Sequence, residues 1–315
     1  PGGGGWGGIQ GGDLLGLGNG PPGGGGGGYD RSISTVSSEV ARDVLNTTTS
    51  AQVKAEVEVL KRLSLFGGFQ EARYRLEDPF AQTPGLETVT NLDRTESAYR
   101  AGIRYAYSST FSLGLMAENV QTRFVTDPEL QDNDVSGLLL VVRYDREKLY
   151  VEGTFGVREG EPVNAGSYYP EFRTGTYGYF ASYQLARPLE IQARGSRRPV
   201  ASLFLDNPYY FETQNGASLR YRLGRQVALH ANASLGSNRY VNPVYVSATG
   251  EIVTRIDDVS RVAGGLDYAL SRTIKLGIEL SQEKFDSNID FYDRSVFRIT
   301  GGVTISAVFA AEERR

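Results

Sequence analysis

The sequence predicts an all-β chain: a transmembrane antiparallel up-and-down β-barrel of about fourteen strands, with a Gly-rich N-terminal tail. Three observations carry this expectation. A two-strand hairpin unit recurs along the body of the chain, its strands alternate apolar and polar residues over about 10 to 14 positions, and a tyrosine returns at one place in each unit, on the apolar side.

The tail comes first. Of the 39 glycines in 315 residues, 17 lie in residues 1–30, and the remaining body has ordinary glycine usage. Neither glycine run carries the Gly-Lys-Ser/Thr ending of a phosphate loop, so residues 1–30 are expected to be a flexible periplasmic tail with three readings: a disordered leader, a segment threaded into the lumen, or a docking strand that a periplasmic partner grips at Trp6, Leu14, Leu15 and Leu17. The body, residues 31–309, is the expected barrel, and residues 310–315 a short charged extension.

Within the body, Tyr105, Tyr144, Tyr183, Tyr221 and Tyr268 are spaced by 39, 39, 38 and 47 residues. Each stands just before a short polar break. After each break a second alternating run follows: Phe111/Leu113/Leu115, Leu149/Val151/Phe155, Leu189/Ile191/Ala193, Val227/Leu229/Ala231 and Ile274/Leu276/Ile278. Apolar residues at every second position give a strand one apolar face, and a short polar break between two such runs is a hairpin turn. An earlier copy, Val53/Ala55/Val57/Val59 then Leu63/Leu65/Phe69, has the alternation without the tyrosine. Longer polar stretches, such as residues 78–94, 159–174 and 240–257, separate the hairpins and are expected as loops that hold most of the prolines, among them Pro162, Pro208 and Pro243.

Strands with one apolar face suit either a soluble sandwich or a membrane barrel. Globular strands are typically 5 to 6 residues, whereas a membrane strand needs about 9 to 11, and these runs are of the second kind. The five tyrosines share the apolar face at one height, which describes an aromatic girdle at a membrane interface. Short turns at one end and long loops at the other point the same way. Six hairpins and a last strand from about Val296 to Phe309 make thirteen strands, and bacterial barrels normally have an even number with both ends in the periplasm. The missing strand is therefore expected from Ile33 to Asn46; a helix plugging the lumen is the other reading of that segment.

The polar face supplies the expected pore lining: Arg100, Arg104, Arg143, Lys148, Glu152, Arg194, Arg220, Arg222, Arg261 and Glu279. Its modest basic excess favours anionic solutes, because rings of lumen charge set selectivity. Two readings stand side by side for the arginines near the turn end: a basic belt, or ion pairs with Glu118, Glu152 and Glu190 that hold neighbouring strands together.

At the C-terminus, Arg298-Ile299-Thr300-Gly301-Gly302-Val303-Thr304-Ile305-Ser306-Ala307-Val308-Phe309 resembles the terminal strand of Gram-negative outer-membrane proteins. The resemblance implies residence in the bacterial outer membrane, contact with its lipid, and recognition of the Phe309 aromatic by the barrel-assembly machinery. The hairpin Tyr268-Ala269-Leu270-Ser271-Arg272 also resembles barrels found alongside exopolysaccharide-export systems in proteobacteria, which implies a role in polysaccharide export.

Composition excludes several classes of function. With no cysteine there is no disulfide, thiolate site or cysteine nucleophile. A net charge of -4 does not suit a nucleic-acid binder. The single histidine, His230, has no partner identifiable in sequence, so no enzyme is expected. The carboxylates Asp127, Glu129, Asp132 and Asp134 lack the spacing of a dedicated calcium loop, so neither metal nor cofactor is expected. What remains is an outer-membrane channel for polar, anionic or saccharide solutes, gated in one variant by a partner. The alternative is a structural anchor whose Gly-rich tail or loops tether a periplasmic or surface assembly. Aromatic loop residues Tyr168, Tyr169, Tyr209, Tyr210 and Phe211 are expected either to stack on sugars or to pack the loops.

Overall fold

The computed structural model describes residues 28–34, 44–77, 93–126, 128–167, 169–204, 207–246, 250–271 and 274–305. The strands are β1 (Gly28–Ser34), β2 (Val44–Leu60), β3 (Leu63–Glu77), β4 (Arg94–Ala106), β5 (Phe111–Phe124), β6 (Asn133–Arg146) and β7 (Leu149–Pro162). Then come β8 (Phe172–Ala186), β9 (Leu189–Phe204), β10 (Asn207–Leu223), β11 (Val227–Val246), β12 (Glu251–Ala269), β13 (Ile274–Ser287) and β14 (Arg294–Ile305). One turn of helix, α1 (Pro128–Gln131), stands between β5 and β6. The chain is all-β, and its fourteen described strands form one up-and-down antiparallel barrel wall in which every strand pairs with its neighbour in sequence. Among the described residues no backbone pairing joins β14 back to β1.

Short turns close the hairpins where sequence places them. Residues 61–62, 147–148 and 187–188 link their strands in two residues each, and in the first of these turns Arg62 takes the left-handed φ of 80°. Gly224, at φ 74°, does the same between β10 and β11 without the steric cost of a Cβ.

The first strand departs from expectation. The segment expected as one strand from Ile33 to Asn46 instead contributes the two ends of a hairpin, with Ile33 opposite Leu45 and Ser34 opposite Val44; residues 35–43 lie outside the described residues. The even count is reached because β1 takes up Gly28, Tyr29 and Asp30, which the tail had been assigned. Residues 1–27, Phe309 and the charged extension also lie outside the described residues.

The loops are shorter than their polarity suggests. Most of residues 240–257 continue the β11–β12 hairpin as far as Val246 opposite Glu251. Pro243 stands in this strand, at a register irregularity between Arg239 and Pro243, and Pro208 at another between Asn207 and Tyr209. Pro162 is the last residue of β7. A proline withholds one ladder donor, so bulges and strand ends are where a sheet accommodates it.

Burial is inverted relative to a water-soluble domain. On the convex face apolar side chains lie open, with Leu235 70% exposed, Ile278 51% and Val262 57%. On the concave face Glu118 is 6% exposed and Asp267 7%. The run Leu138 to Val142 shows the parity in one strand: Leu138 and Leu140 are exposed, while Leu139 and Val141 pack with Phe66 and Met116 in a small apolar cluster against the inner wall. Gly102 makes room for it, since a Cβ there would stand 2.5 Å from the Phe66 ring.

This inversion yields a test. Leu280 lies about midway up β13, on the convex face, four residues above the level of the Tyr268 girdle. In water, replacing a half-exposed leucine with arginine changes stability by no more than about 0.5 kcal/mol. In lipid at that depth, Leu280→Arg costs about 2 to 4 kcal/mol. Folding equilibria in phospholipid vesicles measure the difference, and a near-neutral result would return the chain to a soluble class.

Candidate pore and lumen cavity

Strand parity carries the charged residues to the concave face, and pairing across strands then fixes them. Arg100 on β4 donates through Nε to Glu118 Oε2 on β5 at 2.7 Å, and Arg158 on β7 meets Glu118 Oε1 at 2.7 Å. Two guanidiniums therefore share one buried carboxylate, one on each oxygen. Arg100 also donates to Gln70 Oε1 at 3.3 Å. Lower on the wall, Arg104 pairs with Glu56 at 2.8 Å and stacks over the Phe66 ring at 5.1 Å. Arg143 meets Asp145 at 3.1 Å and lies 5.4 Å from the Tyr150 ring, whose hydroxyl donates to Glu152.

A second chain of charges crosses β10 to β13. Arg220 reaches Asp267 at 3.7 Å, His230 Nδ1 lies 3.6 Å from the same carboxylate, His230 Nε2 lies 3.3 Å from Glu279, and Arg261 reaches Glu279 at 3.0 Å. Arg222 lies 3.9 Å from Glu190, which also accepts from Ser182 and Gln192. Of the two readings of the arginines, the strand-holding ion pairs are the one this geometry takes. Lys148 departs from the expected lining: it occupies the β6–β7 turn and is exposed, because β7 begins only at Leu149. His230 departs too, since sequence gave it no partner and the fold gives it two carboxylates from strands up to 49 residues away.

Above these pairs, toward the long loops, the curled sheet encloses a cavity of about 340 Å³ walled by residues of β3 to β11. Arg100, Arg158, Arg194 and Arg198 line it, against Glu96 and Glu118. Arg198 is paired with Glu212 at 3.2 Å and Glu96 with Arg94 at 2.7 Å. Thr176 lines the cavity at 4% exposure, and its hydroxyl has no hydrogen-bond partner.

The cavity mouth is aromatic. Pairing of β8 with β9 stops at Tyr177 opposite Arg197, although β8 reaches on to Phe172 and β9 to Phe204. Tyr169, Phe172, Tyr209 and Phe211 fill the separation, with the Tyr169 and Tyr209 rings 4.6 Å apart and Phe172 edge-on to Phe211 at 5.4 Å. The Tyr209 hydroxyl donates to the Pro170 carbonyl at 3.0 Å. Burial raises the pKa of the Tyr169 hydroxyl and keeps it neutral. These loop aromatics pack one another; Tyr168 lies outside the described residues. Tyr210 belongs to a neighbouring knot: it packs on Tyr240 at 5.1 Å, and Tyr240 and Tyr292 cover the two-per-cent-exposed Arg255, itself bound to Asp257 at 2.6 Å.

The five repeat tyrosines stand on the convex face near the short turns, Tyr105 opposite Leu113, Tyr144 opposite Val151, Tyr183 opposite Ile191, Tyr221 opposite Leu229 and Tyr268 opposite Leu276. Higher on the same face, the Tyr179 hydroxyl donates to Asn215 at 3.1 Å. In the acidic loop, Arg123 takes up Asp134 at 2.7 Å, and Asp132 accepts the Phe124 N–H at 2.8 Å. Burial there raises the Asp132 pKa against the lowering effect of that N–H and of Arg123. Among the described residues no group of three acidic or histidine side chains suits a metal ion.

Sequence reasoning missed Arg158, Thr176 and Arg198. Counting in twos from Glu152 reaches Arg158, but the strand had been ended near that residue, at the polar stretch beginning at Glu159.

No protein family and no curated relative matches the chain. Among solved structures it is similar to the FrpB iron transporter from Neisseria meningitidis, at 10% identity and TM-score 0.47, over 82% of this chain and 47% of that one. It is similar to the copper transporter OprC at 12% identity and TM-score 0.42, over 88% and 51%. OmpTdeltaL8, from an outer membrane protein of Vibrio cholerae, matches at 13% identity and TM-score 0.37, over 84% and 93%. The chain thus spans about half the length of the two transporters.

The shared carboxylate gives a prediction. Glu118→Gln leaves two guanidiniums on a buried site with no counter-charge, so denaturant unfolding should report a loss of about 3 to 5 kcal/mol. A loss under about 1 kcal/mol would equate the triad with an exposed surface pair.

Proposed function

We propose that the chain is an outer-membrane barrel of a Gram-negative bacterium whose lumen passes polar, anionic or saccharide solutes. The observation that carries this reading is the cavity on the concave face, walled by four arginines and two glutamates, inside a sheet whose convex face is apolar and open. An apolar exterior is stable only against lipid, and a charged interior only against water or counter-charge. The five-tyrosine girdle marks the periplasmic interface, and Arg100, Arg194, Arg220, Arg222 and Arg261 serve as pore wall, with most of their charge committed to neighbouring strands. The excess of arginine in the cavity itself gives the lumen its preference for anions.

A structural anchor is the second reading. It draws on the same ion pairs, which stiffen the wall, and on the Gly-rich tail as a tether for a periplasmic partner. A Gly-rich coil of the length of residues 1–27 has a root-mean-square span of about 30 Å, a useful reach for docking.

Planar bilayers test the two. Under a tenfold gradient of potassium chloride the expected reversal potential has the sign of chloride selectivity, and a reconstituted barrel that never conducts would sink the channel. Deleting residues 1–27, which spares β1, should leave conductance unchanged in a simple pore; loss of a co-purifying partner on that deletion would favour the anchor.

A further inference from the structure

Resting on the channel reading, we infer that the lumen cavity is a binding site for a carboxylated sugar. Size is the first argument. At about 340 Å³ the cavity falls at the lower end of sites for organic ligands, and is roughly ten times the space of one water molecule, so a bare inorganic anion would leave most of it unfilled.

Charge is the second. Glu118 carries one negative charge and faces Arg100 and Arg158 together, which leaves one positive charge at the cavity wall after pairing. Arg198 and Glu96 do not alter this balance, being matched by Glu212 and Arg94, and Arg194 adds to the positive side, since Glu279, the carboxylate it senses, also pairs with Arg261. Arg158 also keeps its Nε without a partner. A guanidinium in such a site is well made for the two oxygens of a carboxylate.

The third is the character of the remaining wall. Gln70, Thr154, Thr176, Ser196, Gln214 and Ser234 line the cavity from β3, β7, β8, β9, β10 and β11, and hydroxyl and amide groups that both donate and accept suit a ligand bearing several hydroxyls. Among the hydroxyls that line the cavity, the buried one of Thr176 is without a hydrogen-bond partner, and a buried polar group in a ligand-sized cavity is where a ligand's hydroxyl would supply one. Tyr169 and Tyr209 close the site at the mouth, occupied with each other, so recognition here is by hydrogen bonds and charge rather than by stacking.

Isothermal titration of the folded protein in detergent micelles tests the site. The probes are D-glucuronate, D-glucose and acetate as its two halves, and inorganic phosphate as a compact anion. Glucuronate should bind at least about tenfold more tightly than any of the other three. Arg158→Gln should weaken it by about tenfold or more, and Thr176→Val, a near-isosteric change, by about threefold to tenfold, with unchanged thermal melting of the β-sheet circular dichroism for Thr176→Val. Equal binding of phosphate and glucuronate, or of glucose and glucuronate, would overturn the assignment, as would a Thr176→Val protein that binds like the parent. Because binding is read without a membrane, a protein that binds glucuronate but never conducts keeps the site and loses the channel. One that conducts but does not discriminate among the probes loses the site and keeps the channel.

Discussion

The rest of the structure depends on one constraint: each strand keeps a single parity, apolar outward and polar inward, from one hairpin turn to the next. A slip of one residue would carry every charged side chain of a strand to the convex face and every apolar one into the lumen. The ladder registers hold that parity across β2 to β14, interrupted only at a few bulges. From it follow the exposed Leu235 and Ile278, the buried Glu118, and the meeting of arginines and carboxylates from neighbouring strands. Some pairs join residues two apart on one strand, as Arg143 does with Asp145, but those that tie strands together come from afar in sequence: Arg104 reaches Glu56 across 48 residues because β2, β3 and β4 stand side by side.

The ion pairs then decide what sort of lumen this is. Two guanidiniums on Glu118, and the run from Arg220 through His230 to Arg261, tie strands together at places where a charge alone would be costly to bury. Most of the wall charge is spent internally, and the uncompensated part is concentrated at the cavity. A basic belt at the turn end would present free charge there; here the guanidiniums at that end are largely paired, as Arg104 is with Glu56 and Arg220 with Asp267.

Legibility in sequence followed the same physics. The hairpins, their short turns and the tyrosine positions were readable because period-two alternation and turn chemistry are local. Strand ends were not, since polarity stands both for a loop and for a strand that has risen out of lipid. Residues 240–257 turn out to be mostly strand, paired as far as Val246 opposite Glu251, and Arg158 was hidden by the same ambiguity. Pro208 and Pro243 read as loop markers because nothing local announces a bulge. The partners of His230 could not be read at all: Asp267 and Glu279 lie on two further strands, and only the register brings them within reach.

The separation of β8 from β9 above Tyr177 has a mechanical consequence. Below that level the two strands are joined by a ladder of backbone hydrogen bonds that open together or not at all. Above it, among the described residues, aromatic contacts run from Phe172 of β8 and Tyr169 before it to Tyr209 and Phe211 of β10, and such pairs are worth about 0.5 to 1.5 kcal/mol each beyond their buried area. Between β8 and β9 the wall is therefore stiff where the ladder runs and more compliant at its outer rim, beside the cavity, where side-chain packing takes the place of backbone pairing.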